Sequence, residues 1–271
     1  ERGVPVVAEV ELAWQHLDGR IVAITGSNGK STTTALTGAL LAAAGVPVEV
    51  CGNIGRPLSA CVEGPSGRTF VVELSSFQLE GITSLAPVAA ALLNLSADHL
   101  DRHGDLAGYL AAKQRVFAFQ EAGAIAVVNA DEPGLAPPDL AARLRRFSLT
   151  GPVADGCWRD RERVVERGPG AVPEELFRLA DLPLAGPHQL ENAMAAALLA
   201  LAAGAPRAGI PAALAAFRGL PHRLQQVGER DGVTFWDDSK GTNVGATVRA
   251  LEGFAPASVH LILGGRSKGT D

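Results

Sequence analysis

Lysine is scarce in this chain of 271 residues. Its 24 basic side chains divide into four lysines, at 30, 113, 240 and 268, and twenty arginines. A sequence so biased toward the guanidinium marks its few lysines as places where a compact ammonium is required. Methionine occurs once, as Met194, so the chain is expected to open inside a longer protein. Cysteine occurs three times, at 51, 61 and 157. That odd number completes no disulfide framework and the spacing fits no metal-ligand pattern, which suits a reducing, cytoplasmic compartment. No apolar run reaches the ~20 residues that span a bilayer; the longest, AMAAALLALAAGA, covers 193–205, and no signal peptide precedes it. Excess positive charge is missing too. A net charge of −5 argues against nucleic acid or an anionic membrane as partner.

What is present is apolar, at 47% of residues, and long enough for about two domains. Short apolar runs at 22–25, 47–50, 70–74, 88–93, 125–128 and 146–149 read as strands. Helical patterns alternate with them at 31–44, 105–122 and 188–203. Near-continuous apolar strands between helices predict a doubly wound, mostly parallel α/β sheet covered on both faces. The charged, Pro/Gly-rich segment 151–183 is expected as a small antiparallel insertion. After residue 220 the pattern restarts with a strand at 233–236, a helix near 244–253 and a strand at 259–263. Two parallel strands and one helix cannot bury a core, so this region is expected to open a second α/β domain.

The stretch VAITGSNGKSTTT, 22–34, carries the most chemistry. A β-branched run ends in a Gly-rich turn, and a helix begins at Lys30-Ser31-Thr32. Backbone N–H groups of such a turn cradle phosphate oxygens, and the helix dipole adds a favourable field. Lys30 would reach the outer phosphates and the hydroxyl of Ser31 or Thr32 would ligate Mg²⁺. The usual first glycine is absent, since residue 24 is Ile. Glu73 ends the next strand but one, where a magnesium-coordinating carboxylate belongs. Asp98, His99, Asp101, Arg102 and His103 follow another strand, and Lys113 lies in an otherwise plain helix. Polar clusters at element boundaries recur in GPHQLENAMAAA (186–197), LPHRLQQV (220–227), FWDDSKGTNVGAT (235–247) and LILGGRSKGTD (261–271).

Taken in order, these motifs resemble the Mur ligase family. T-G-S-N-G-K-S-T matches its compact ATP loop, which accounts for the missing glycine. GNIG (52–55), ELSSFQLE (73–80), DHLDRH (98–103), DDSKGTN (237–243) and LGGRSKGTD (263–271) look like its D-glutamate-adding branch. The resemblance implies three domains. Residues 1–8 would be the tail of an N-terminal UDP-binding domain or linker, 9–219 a central ATPase, and 220–271 the beginning of a C-terminal Rossmann-like domain. It also implies roles. Gly26, Asn28, Gly29, Lys30, Ser31 and Thr32 would bind the triphosphate, Asn192 the adenine, and Arg223 and Asp238 the nucleotide from the C-terminal side. Asn53 and His99 would contact the acyl substrate, and Thr242 and Lys268 the incoming D-glutamate. Ser31, Glu73, His99 and Lys113 would organise two Mg²⁺ ions, Lys113 as a carbamate, and Lys30, His99, Lys113 and Arg223 would carry catalysis. The branch often has Asn at the position of Gln189, so no adenine contact is assigned there.

The implied reaction is ATP-dependent addition of D-glutamate to UDP-N-acetylmuramoyl-L-alanine through an acyl phosphate. It is a cytoplasmic step of peptidoglycan precursor synthesis, and so of cell-wall biogenesis, shape and division. The enzyme is expected to be monomeric, and the present chain alone inactive. Two rivals remain at this point: a sister ligase or folylpolyglutamate synthase, and a P-loop protein that hydrolyses ATP only as a switch.

Overall fold

The computed structural model describes residues 6–184 and 186–265. A short helix α1 (Glu9–Trp14) leads into β1 (Gly19–Thr25), and α2 (Lys30–Ala43) follows the Gly-rich turn. Next come β2 (Val48–Gly52), β3 (Arg68–Glu73), α3 (Ser76–Glu80) and β4 (Ala89–Leu92). A four-residue turn of helix, α4 (Leu100–His103), precedes α5 (Leu106–Gln114) and β5 (Ile125–Asn129). The strands then run together as β6 (Arg143–Ser148), β7 (Gly156–Asp160), β8 (Arg163–Arg167) and β9 (Glu174–Arg178). Helices α6 (Pro187–Ala202) and α7 (Ile210–Ala216) close this unit.

Nine strands form one sheet in the order β2-β3-β1-β4-β5-β6-β7-β8-β9. Every pair from β2 to β7 is parallel, and β8 and β9 add antiparallel at the edge. The expected insertion is therefore an extension of the main sheet. Along β1 the side chains alternate between two cores. Val22 and Ile24 face α2 and α6, while Ile21 and Ala23 face the α1, α3 and α5 side. Burial on both faces is why these strands read as unbroken apolar runs. Helix α2 lies close to the sheet because Gly38 has no Cβ, which would strike Val50 Cγ2. Two of its buried threonines are satisfied within the helix: Thr34 Oγ1 donates to Lys30 O at 2.8 Å and Thr37 Oγ1 to Thr33 O at 2.7 Å.

The chain leaves β1, builds β2 and β3 to one side, then crosses to β4 on the other. This order reversal opens a crevice at the carboxyl ends of the strands. Parallel register puts Ile24 beside Glu73 and Thr25 beside Leu92, so the loops after β1, β3 and β4 emerge together.

Beyond residue 220 lie β10 (Gln225–Arg230), β11 (Val233–Asp237) and α8 (Val244–Leu251). Two sequence expectations fail here. The strand at 233–236 is present, but its neighbour is β10, antiparallel, in a separate two-stranded sheet. The run 259–263 is not a strand: it has no ladder partner among the described residues, and Ile262 is 95% exposed. A β-branched run becomes a strand only where a neighbouring edge takes up its hydrogen bonds.

Candidate nucleotide site

The turn after β1 is held by neutral polar side chains from the loop after β4. Asn94 Oδ1 accepts from Asn28 N at 2.8 Å, and its Nδ2 donates to Asn28 O at 3.1 Å. Ser96 N donates to Ser27 Oγ at 2.9 Å, and Ser27 Oγ donates to Ser96 O at 3.0 Å. Gly29 caps α2 in a left-handed conformation, φ +81°, and any Cβ there would collide with Asn192 Oδ1. Both facts demand glycine. Asn192 is buried on α6, where its Oδ1 accepts from Thr33 Oγ1 at 3.2 Å and its Nδ2 donates to Gln189 Oε1 at 3.2 Å.

Two lysines converge on the carbonyl of Gly26. Lys30 Nζ donates to Gly26 O and Ser27 O, both at 2.9 Å, and Lys113 Nζ donates to Gly26 O at 2.7 Å. Burial pulls the Lys30 ammonium below its ordinary pKa, Glu73 and Asp98 oppose that, and Arg223 reinforces it. Lys113 is 1% exposed, and burial together with the neighbouring Lys30 charge lowers its pKa to about 6. Its Nζ also sits 4.3 Å from the centre of the Tyr109 ring. Two amine-bearing side chains are thus held against the same carbonyl of the turn.

Glu73 stands at the end of β3, beside Ile24 of β1. Asn53 Nδ2 donates to Glu73 Oε1 at 3.0 Å, while Glu73 Oε2 is buried without a hydrogen-bond partner among the described residues. An unpartnered buried carboxylate oxygen calls for a cation or a donor that binds with the ligand. His99 lies beside Asp98, Nε2 to Oδ2 at 3.7 Å, with its side chain 39% exposed. No group of three His, Cys, Asp or Glu residues suited to holding a metal occurs among the described residues.

The region after 220 reaches over this crevice. Arg223 Nη2 donates to Ser31 Oγ at 2.9 Å. Asn243 Nδ2 donates to Asn28 Oδ1 and to Asp98 Oδ2, both at 3.3 Å. Arg249 on α8 faces Glu191 at 3.6 Å and Glu132 at 3.9 Å. The pocket so enclosed is lined by Asn28, Gly29, Thr32, Asn192, Arg223 and Asp238, six residues named from the sequence. Asp238 Oδ1 accepts from Leu224 N at 3.0 Å, and burial raises its pKa. Thr242 is exposed, and Lys268 lies outside the described residues. Asn94, Ser96, Glu132, Asn243 and Arg249 belong to the site without having been anticipated. The three cysteines are buried and free. No helix among the described residues is long and apolar enough to cross a membrane.

Comparison with known proteins points the same way. A family model described as the Mur ligase middle domain matches residues 24–200. The chain is 47% identical over 274 residues to the UDP-N-acetylmuramoylalanine–D-glutamate ligase of Myxococcus xanthus, covering 98% of this chain and 60% of that protein. It is 42% identical to the ligase of the same name from Acidobacterium capsulatum, covering 99% of this chain and 59% of that one. The chain therefore spans about three fifths of these relatives. Among solved structures, MurF from Acinetobacter baumannii superposes with a TM-score of 0.69 at 22% identity, over 88% of this chain and 54% of that one. MurF ligase from Thermotoga maritima in complex with ADP gives 0.67 at 20% identity, over 90% and 60%; both likenesses establish a shared fold. The matched residues 24–200 fall on the unit whose sheet presents the Gly-rich turn, and the chain belongs to the Mur ligase family.

Proposed function

We propose that these residues form the ATP-using centre of a ligase that joins D-glutamate to UDP-N-acetylmuramoyl-L-alanine. The observation that carries this reading is the Gly26–Thr32 turn and the unpartnered Glu73 oxygen at the ends of neighbouring parallel strands. The names of the relatives supply the substrates. In the domain scheme, 9–219 is the ATPase unit, 1–8 leads in from a UDP-binding domain, and 220–271 begins a C-terminal domain that supplies part of the site. The whole protein works as a monomer in the cytoplasm.

The turn from Gly26 to Thr32 holds the triphosphate, and Lys30 swings from the Gly26 and Ser27 carbonyls onto its outer oxygens. Asn192 meets the adenine, and Arg223 and Asp238 meet the nucleotide from the far side. Arg223 now occupies the Ser31 hydroxyl, so nucleotide entry exchanges that contact for a phosphate. Ser31, Glu73, His99 and a carbamate on Lys113 would provide the oxygen and nitrogen donors for two Mg²⁺ ions, which would neutralise phosphate charge. With its pKa at about 6, Lys113 is largely an unprotonated amine at neutral pH. Its neutral nitrogen can add to the carbon of CO₂ and release one proton, converting the amine into a carbamate anion that arginine could not provide. Asn53, which orients Glu73, and His99 border the carboxylate to be activated. Thr242 and Lys268 receive D-glutamate.

The γ-phosphorus is attacked by the alanine carboxylate to give an acyl phosphate and ADP. The D-glutamate amine then adds to the acyl carbon, and phosphate leaves as the amide forms. The protein's share is positioning and charge stabilisation. The test is phosphate release by the whole protein with UDP-N-acetylmuramoyl-L-alanine and either D-glutamate, L-glutamate, L-alanine or meso-diaminopimelate. Release that depends on D-glutamate is expected. Release with another amino acid instead would move the chain to a sister ligase, and release indifferent to both substrates would make it a switch ATPase.

A further inference from the structure

The turn that presents His99 has little to hold it. None of the four residues of α4 is classed as buried, Leu100 is exposed, and Asp101 points to solvent. His99 itself sits in the left-handed region, φ +54° and ψ +30°, which a residue with a side chain adopts only when its surroundings enforce it. Within the turn, one side chain is almost fully enclosed: that of His103, 3% exposed.

Both nitrogens of His103 are engaged by α3. Nε2 lies 3.0 Å from Ser76 Oγ and Nδ1 lies 3.3 Å from Glu80 Oε1. Its ring stacks on Phe77, centroids 5.7 Å apart at 12°, and meets the Tyr109 ring of α5 at 5.0 Å. Phe77 in turn meets His99 edge-on at 5.0 Å. Arg102 reinforces the same joint by pairing with Glu80 at 2.6 Å and lying over Phe77. Helix α3 begins three residues after Glu73 and is fixed at its start by a capping box between Ser75 and Gln78. The strand end bearing Glu73 is thereby coupled through α3 and one imidazole to the turn bearing His99.

We propose that His103 is a positioning residue that bolts the His99 turn to α3 and so sets the spacing between Glu73 and His99. This rests on the reading above that both side chains hold metal. Ring stacking alone gives contact without fixing rotation. The hydrogen bond to Ser76 and the ion-pair contact of Nδ1 with Glu80 define the ring's orientation and hence the path of the backbone from 99 to 103.

The experiment uses the whole protein with His103→Phe, which keeps the stacked ring, and His103→Gln, which keeps polar reach toward Ser76 or Glu80. Ser76→Ala removes one bond only. Three readouts are taken: Mn²⁺ affinity by electron paramagnetic resonance with a non-hydrolysable ATP analogue, amide hydrogen exchange of 98–104 without metal, and the KM for ATP. His103→Phe is expected to weaken Mn²⁺ binding about tenfold, as loss of a partner behind a ligand does. It should also speed exchange at 98–104 and leave the KM for ATP little changed. Gln and Ser76→Ala should fall between Phe and the parent. Unchanged Mn²⁺ affinity and exchange in His103→Phe would overturn the proposal, as would a Gln variant no better than Phe. His99→Ala separates the two readings: if it leaves Mn²⁺ affinity intact, the metal role of His99 fails; if it alone weakens binding, only the role of His103 fails.

Discussion

In β1 every residue from Ile21 to Thr25 is fully buried, whereas in β10 all six residues from Gln225 to Arg230 are exposed. The first strand is at the middle of a sheet with helices on both faces, and its stability comes from area removed from water. The second belongs to a two-stranded ribbon whose helix α8 buries only Ala250. What joins this region to the first unit is polar: Arg223 to Ser31, Asn243 to Asn28 and Asp98, and Arg249 facing Glu191 and Glu132. Contacts of this sort are directional and individually weak, so they can be made and broken as a ligand enters and leaves. A rigid unit thus presents the phosphate turn, and a loosely attached one completes it.

The largest effect should come from the rigid side. Lys30→Ala removes the ammonium poised at the turn, and ligation by the whole protein should fall by about 10³-fold or more. Near-normal ADP production would remove the turn from the chemistry. Next in size is a direct contrast of the two regions by urea denaturation. Leu36→Ala, at a fully buried position, should cost about 2–5 kcal/mol. Phe235→Ala, where 51% of the residue is exposed, should cost less than about 1 kcal/mol. Equal costs would abolish the distinction.

Lys113 sharpens it from another side, because a group kept for function can weigh against stability. Its native pKa, about 6, lies far below the usual 10.5 of the unfolded chain. Between those values the unfolded state binds the proton that the native state has lost, so stability rises with pH across the window. Below about pH 6 the penalty is fully present. Lys113→Met should therefore raise the melting temperature, most at the acid end and progressively less toward pH 10. A gain independent of pH would mean that burial does not depress this lysine. The same variant should lose ligation.

The rigid unit was also the legible one. Runs at 22–25, 70–74 and 125–128 are apolar but for Thr25 and Glu73 because both faces are covered, and each falls on a strand. QQVGER at 225–230 has neither alternation nor apolar continuity, since an exposed ribbon places no demand on either face, and β10 went unread. The run 259–263 misled for the converse reason: its β-branched residues suit a strand, but no edge lies beside them. At the candidate site, Lys30 and Glu73 are legible in the sequence because a Gly-rich turn before a helix and a carboxylate at a strand end are local patterns. Asn94 and Asn243 were not, because neutral amides leave no periodic trace. Their partners on Asn28 lie 66 and 215 residues away in sequence. Lysine scarcity drew attention to Lys113, and its burial beside Lys30 gives that scarcity a physical meaning.

The smallest effect probes the joint itself. Glu132 uses Oε2 to accept from Leu95 N, and Glu191 uses Oε1 to accept from Asn129 Nδ2, leaving each with an oxygen facing Arg249. Burial raises the pKa of both carboxyls, and Arg249 partly offsets it. The guanidinium is 41% exposed and stands 3.6–3.9 Å away, so the contact is a screened ion pair worth ~0.3–1 kcal/mol. Arg249→Ala should weaken nucleotide binding by a few-fold at low salt, with the difference shrinking as ionic strength rises past physiological. The sign with pH follows from the raised carboxyls. As pH falls and Glu132 and Glu191 take up protons, there is less negative charge for Arg249 to meet, and parent and variant should converge. Isothermal titration with an ATP analogue at two salt concentrations and two pH values checks both trends. An effect indifferent to salt would mean that α8 is held by packing after all, and that the two regions are built more alike than their burial implies.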